Sequence, residues 1–205
     1  MIFSGSGATP ETQNRPRLNV LSLFSGIGAT DHGLERAGMN VVGQVELNRD
    51  CWPTLQHHWP GVPLHDDVRT AAEWWLSEPR PRVDVIDGGP PCQPFSSAGL
   101  GGGVDDDRNG WPWFLDVVRR LRPRYVMAEN ADELLAPRFH RVFREILGAL
   151  ADDGFAVEWD CLTACAMGAP HTRRRLFLVA YPDSSDGAPR VGAWAGGIKA
   201  DTGSP

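Results

Sequence analysis

The run Asp87-Gly88-Gly89-Pro90-Pro91-Cys92-Gln93-Pro94-Phe95-Ser96 holds a cysteine in a setting unlike that of a structural thiol. Two prolines fix the backbone directly before Cys92, and two glycines let it turn. The apolar run Val83 to Ile86 just ahead reads as a strand, so the thiol lies in a rigid, polar turn past a strand end. A thiol held there is placed for nucleophilic attack. A free thiol titrates near about 8.5, so a positive neighbour or a helix N-terminus is needed to enrich the thiolate.

Two further groups can work with it. Glu129-Asn130 follows the apolar run Tyr125 to Ala128, and a carboxyl at that strand end shares the sheet edge with Cys92. It can be held protonated, or share a proton, against a base ring nitrogen; a loop salt bridge to Arg122 or Arg124 is the competing role. In His171-Thr172-Arg173-Arg174-Arg175, alternation sends Arg173 and Arg175 one way and Arg174 the other. Two guanidinium groups on one side can grip a phosphate or support a base carbonyl. The glycine-rich stretch from Gln93 to Arg108 is expected to form a mobile loop over the substrate.

A second set of residues suits a nucleotide-like ligand. Gly26 and Gly28 lie where the first strand turns into its helix, and Glu46 stands 20 residues after Gly26, at the end of the second strand. Such a carboxylate can accept both hydroxyl hydrogens of a ribose. Asp31 stands where a dinucleotide fingerprint has its third glycine, and an acid early in the helix disfavours pyrophosphate. A cofactor with a ribose and no phosphate fits better, S-adenosylmethionine above all, with Asp31 facing its cationic end. Asp66 and Asp67 follow a brief third strand; an aspartate there can accept from an adenine amino group or cap a helix.

The elements that position these residues are read from periodicity. Strands are expected at Leu18 to Phe24, Val41 to Val45, Val62 to Leu64, Val83 to Ile86, Tyr125 to Ala128, Phe155 to Trp159 and Leu176 to Ala180. Helices are expected from Ala29 to a stop at Gly38, and over Asp50 to His58, Arg69 to Leu76, Trp113 to Leu121 and Phe139 to Leu150. Strands alternating with helices specify an α/β fold, a mostly parallel sheet with helices on both faces. In such sheets ligands bind past the C-terminal strand ends, where Ser25-Gly26, Glu46, Asp87-Gly88 and Glu129 fall.

Composition sets the outer bounds. The 205 residues carry a net charge of −6, and Lys199 is the one lysine among 20 basic residues. A globally cationic nucleic-acid coat is excluded, although the charge is uneven. Residues 21–116 hold 6 arginines against 14 acids, and residues 117–180 hold 10 against 8. Four cysteines make no disulfide scaffold and fit a reducing, cytoplasmic setting. No apolar run is long enough for a membrane span, and no secretory signal is expected. Residues 1–17 and 181–205 read as a loose arm and a polar tail around a domain at 18–180.

In these motifs the chain resembles the DNA (cytosine-5) methyltransferase family. Leu23-Phe24-Ser25-Gly26-Ile27-Gly28-Ala29 is similar to its first motif, Gly89 to Ser96 to its nucleophile signature, Glu129-Asn130 to its Glu-Asn motif, and Arg173 and Arg175 to its paired arginines. Ala29, Ala131 and His171 depart from the family's usual Gly, Val and Gln. The resemblance implies a Rossmann-like, S-adenosylmethionine-dependent methyltransferase fold acting on C5 of cytosine in duplex DNA. It implies that Cys92, Glu129, Arg173 and Arg175 are catalytic, Arg175 supporting the base carbonyl and Arg173 orienting Glu129 or a phosphate. It further implies cofactor contacts from Phe24, Ser25, Gly26, Gly28, Glu46, Leu47, Asp67, Val68, Gly89 and Pro90, with no metal. Family members continue into a target-recognition domain and a returning segment, for which residues 181–205 are too few and too polar. A split form that uses a second polypeptide for target recognition is therefore expected alongside a truncated one. Two other readings are a non-catalytic subunit that binds the cofactor or a partner methylase, and an RNA cytosine-5 methyltransferase.

Overall fold

The computed structural model describes residues 16–91 and 109–183. Cys92, the stretch Gln93 to Arg108 and both expected terminal segments lie outside the described residues, apart from the few positions at their borders. The elements run β1 (Asn19–Leu23), α1 (Ala29–Arg36), β2 (Asn40–Val45), α2 (Trp52–His58), β3 (Leu64–His65), α3 (Ala71–Leu76), β4 (Val85–Gly88), α4 (Trp111–Leu121), β5 (Tyr125–Ala131), α5 (His140–Asp152), β6 (Phe155–Thr163) and β7 (Arg174–Pro182). Single 3-10 turns at Arg49–Cys51 and Val68–Thr70 lead into α2 and α3, where a continuous helix was expected.

The strands form one sheet in the order β3-β2-β1-β4-β5-β7-β6. β1 to β5 are parallel, β7 runs antiparallel to β5, and β6 antiparallel to β7. The order reverses between β1 and β4, which opens a crevice beyond their C-terminal ends. Three strands are longer than periodicity predicts. β5 runs on to Ala131 because β7 pairs with it through Ala131 and Arg175, and β6 runs to Thr163 opposite Arg174. The added stretches open on Glu129-Asn130 in β5 and Asp160 in β6, so the ladder extends where an apolar count stops.

Helices cover both faces. On one, α3, α4 and α5 bury Trp75, Phe114, Val117, Phe143, Ile146 and Leu150 against Leu21, Ile86, Val126 and Leu178. The buried residues of α5 recur at helical spacing, as the apolar stripe predicts. On the other face, Leu34 of α1 packs on Val20 and Val85, and Leu55 and Trp59 pack on Val41. No helix among the described residues is long and apolar enough to cross a membrane.

The turn between β1 and α1 is the most constrained joint. Gly28 has φ 83° and lies against Leu55 and the Trp59 indole, so an added Cβ would meet the ring directly. Both the backbone conformation and the packing therefore require glycine. Gly28→Ala is expected to lower unfolding stability by about 2–4 kcal/mol, from left-handed strain plus overpacking. Urea denaturation checks this; a loss below about 0.5 kcal/mol would show that the turn does not need glycine.

Candidate functional site

The β1–α1 turn begins unusually early. Phe24, not a glycine, takes a left-handed φ of 56°, followed by Gly26 at 56° and Gly28 at 83°. Ser25 holds the turn from below: its N–H donates to the Val45 carbonyl at 3.1 Å, and its hydroxyl to the Ser22 carbonyl at 3.2 Å. Glu46 holds it from the side. Its Oε2 accepts the Gly26 N–H at 2.7 Å and its Oε1 accepts the Asn48 N–H at 2.6 Å. Each oxygen keeps a further lone pair, so a fixed carboxylate beside a glycine turn remains able to accept a pair of hydroxyls. This is a fit for a ribose-bearing cofactor made by the chain's own residues.

The other expected cofactor residues are placed unequally. Leu47 is 73% exposed at the same sheet edge, and Val68 packs partly on the core. Asp67 caps the turn before α3: its Oδ1 accepts the Arg69 N–H at 2.9 Å, and its Oδ2 accepts the Arg69 guanidinium at 2.6 Å. The Arg69 charge and these hydrogen bonds hold its carboxyl below the usual range. Capping is thus observed, and an adenine amino group would have to share Asp67 with Arg69. Asp31 corrects an expectation. It is fully buried and accepts the Gln44 side-chain amide at 2.6 Å, so it faces the sheet rather than a bound cation.

At the chemical end, β5 fixes the turn that leads to Cys92. The Asn130 amide donates to the Pro90 carbonyl at 3.0 Å, while its Oδ1 accepts the Ala131 N–H at 2.9 Å. Gly89 lies flush with Glu129, since a Cβ there would stand 3.3 Å from Glu129 Oε2. Across the crevice, the Gly110 N–H donates to the Pro91 carbonyl at 3.3 Å, and Gly110 is packed against the Pro91 and Phe24 rings. Pro91 and Gly110 therefore meet at one point, next to the β1–α1 turn.

Glu129 is engaged by Arg175, Nε to Oε1 at 2.8 Å, with both side chains about three-quarters covered. Neither Arg122 nor Arg124 takes that place: the Arg124 N–H donates to the Asp84 carbonyl, and its guanidinium lies over Tyr125. The group paired with Glu129 is thus Arg175; Arg173 was expected to orient either Glu129 or a phosphate. Arg173 is exposed ahead of β7, its N–H directed at His171 Nδ1 at 3.4 Å. Arg174 points the other way, to Asp132 at 3.5 Å, as alternation predicts.

Two contributions escaped the sequence reading, Asn130 as the tie to Pro90 and Gly110 as the seat for Pro91; Asp87, read as a strand-end position, is fully buried. A lone amide and a lone glycine carry no periodic signal. Asp87, however, interrupts an apolar run just before a turn. Burial pushes its carboxyl up to about 7, with Asp31 and Glu129 adding to the effect.

With the geometry in place, comparison with known proteins is direct. Residues 18–190 match the family model of the C-5 cytosine-specific DNA methylases. The type II methyltransferase M.FnuDI of Fusobacterium nucleatum is 32% identical over 165 residues, covering 80% of this chain and 47% of that protein. M.AquIA of Picosynechococcus is 31% identical over 174 residues, covering 78% and 70%. A solved structure from E. coli, described as a prophage-encoded DNA modification methyltransferase, superposes with TM-score 0.69 at 26% identity, covering 84% of this chain and 49% of that one. The chain spans about half the length of most of the curated relatives it matches. It belongs to the C-5 cytosine-specific DNA methylase family.

Proposed function

We propose that this chain carries the catalytic half of a DNA (cytosine-5) methyltransferase, within residues 18–180, that modifies C5 of cytosine in duplex DNA. The observation that supports it best is the convergence, at one sheet edge, of the Arg175–Glu129 pair, the Asn130-held turn before Cys92 and the Glu46–Gly26 contact. These groups come from the ends of five strands, β1, β2, β4, β5 and β7.

S-adenosylmethionine, when bound, supplies an electrophilic methyl group on a sulfonium. Gly26 and Gly28 allow close backbone approach to it, Glu46 accepts its ribose hydroxyls, and Leu47, Asp67 and Val68 flank its adenine. Cys92 is the nucleophile: its thiolate bonds to C6 of a cytosine turned out of the duplex, which raises electron density at C5. C5 then bonds the methyl carbon as the S–CH3 bond breaks and its electron pair stays on sulfur; loss of the C5 proton re-forms the C5–C6 double bond and expels Cys92 as thiolate. With Glu129 Oε1 taken by Arg175, Oε2 is left for the N3 and amino edge of the base. Arg175 holds that carboxyl in place, so the charge that develops on the ring meets a preorganised partner. Arg173, exposed nearby, is assigned to a DNA phosphate. Sequence readout is assigned to residues beyond this chain, on the same polypeptide or a second one, and the compartment to the cytoplasm of a cell that uses restriction–modification.

Denaturing electrophoresis tests the chemistry. With duplex DNA containing 5-fluorocytosine and the methyl donor, a covalent protein–DNA band is expected, absent in Cys92→Ser. Measurable cofactor binding without any band would instead favour a binding-only subunit.

Glu46→Ala removes a charged acceptor and is expected to weaken S-adenosylhomocysteine binding about 10- to 100-fold, the effect of about 1.5–3 kcal/mol. Isothermal calorimetry reads it, and unchanged affinity would remove Glu46 from the cofactor site. Arg175→Gln is expected to slow single-turnover methylation about 100-fold while leaving cofactor affinity within about twofold, because it acts through Glu129. A variant that loses cofactor affinity instead would place Arg175 elsewhere.

A further inference from the structure

A polar strip crosses the sheet beneath the first turn of α1. Gln44, Ser22 and Asp87 are directly in register across β2, β1 and β4, and all three are buried. Thr30 and Asp31 of α1 lie over them. Of these groups only Gln44 and one Asp31 oxygen form a well-shaped hydrogen bond; both Asp87 oxygens, Asp31 Oδ1 and Ser22 Oγ have none. Two carboxyl groups, each fully shielded from solvent, share this space.

Both cannot be ionised in so dry a site, and the surroundings say which one keeps the charge. Burial pushes the Asp31 carboxyl up too, but the Ser22 hydroxyl, the Gln44 amide and the positive end of α1 oppose that shift. Asp87 has only the Thr30 hydroxyl and the Gly88 N–H leaning toward it, and it feels the negative charges of Asp31 and Glu129. The other charged groups acting on the pair are Glu35 and His32, on Asp31. An ionised Asp31 beside a neutral Asp87 is the arrangement that leaves the fewest buried oxygens unsatisfied, because a protonated Asp87 gains a donor.

We propose that Asp87 is a positioning residue, a neutral carboxyl that packs beneath the Thr30 hydroxyl beside Asp31 and so holds the end of β4 to the first turn of α1. The two ends it joins are functional. Thr30 and Asp31 follow the Gly26–Gly28 turn, and Asp87 stands two residues before Gly89 in the strand that leads to Cys92. Loss of the Asp87 proton sets a second negative charge beside Asp31 between these loops and drives apart the cofactor turn and the nucleophile turn. The consequence for ligand binding rests on the proposed function; the clamp itself does not.

The sign of the pH dependence follows. An Asp87 carboxyl raised above its unfolded value favours the folded state at low pH, and that contribution falls away as pH rises from about 4 to about 7. Melting of wild type, Asp87→Asn and Asp87→Leu between pH 5.5 and 8.5 tests the clamp. Asn keeps a neutral donor, so the melting temperature of Asp87→Asn minus that of wild type is expected to rise by about 4–8 °C across this range. A gap that stays constant with pH overturns the proposal. Asp87→Leu, which has no donor, is expected to melt below Asp87→Asn at every pH, and equal melting overturns the hydrogen-bonding role. His32 is common to all three proteins and cancels in the differences.

If the variants do not fold, the carboxyl carbon resonance of Asp87 in wild type decides: titration near neutrality supports the clamp, and titration below pH 5 overturns it. Calorimetry with S-adenosylhomocysteine then links clamp to site. Wild-type affinity is expected to fall about tenfold between pH 6.5 and 8.5 and that of Asp87→Asn to stay level. Equal pH profiles in the two proteins overturn the link. Absence of binding by both at every pH refutes the functional reading and with it the link, while the melts still decide the clamp.

Discussion

The antiparallel pairing of β7 with β5 is the constraint on which the candidate site depends. A parallel strand in that position would arrive from the opposite end of the sheet and carry its arginines away from the crevice. Running antiparallel, β7 begins at the crevice, and the register that sets Arg175 opposite Ala131 places its guanidinium diagonally beside Glu129 on the same face. The resulting ion pair is about three-quarters covered, so desolvation offsets much of its attraction. Its effect is directional: a single charge-assisted contact from Arg175 Nε fixes one carboxylate oxygen and leaves the other facing the turn at Gly89.

The same edge is held by groups from neighbouring strands. Asn130, one residue after Glu129, points to the opposite side of β5 and grips the Pro90 carbonyl. Successive residues of one strand thus serve the reactive carboxyl and the backbone that presents the thiol, because strand side chains alternate. Glu46 plays a matching part just past β2, where a single carboxylate braces Gly26 and Asn48 together. Rigid strands support all of these contacts, which limits the play between the two turns.

Beneath them the buried polar strip runs against ordinary core logic. Apolar residues at Ser22, Gln44 and Asp87 would fit a parallel sheet covered on both faces. Unsatisfied oxygens at these positions cost stability. They occur directly under the two turns that meet at the crevice, and local rules most often fail where a site is built.

Much of this was legible without coordinates. The alternation of apolar strands with amphipathic helices determined an α/β sheet, and residues at the strand ends marked the edge where Gly26, Glu46 and Glu129 meet, because period and polarity are local properties of the chain. The glycines before α1 and the prolines before residue 92 were readable for the same reason, since backbone freedom is set by residue type. Partner choice was not. Whether Glu129 meets Arg122, Arg124, Arg173 or Arg175 depends on strand direction and register, and Asp31 faces Gln44 instead of a ligand because of how α1 lies on the sheet. Those contacts join residues far apart in sequence, and only packing of the whole sheet decides among chemically equivalent side chains.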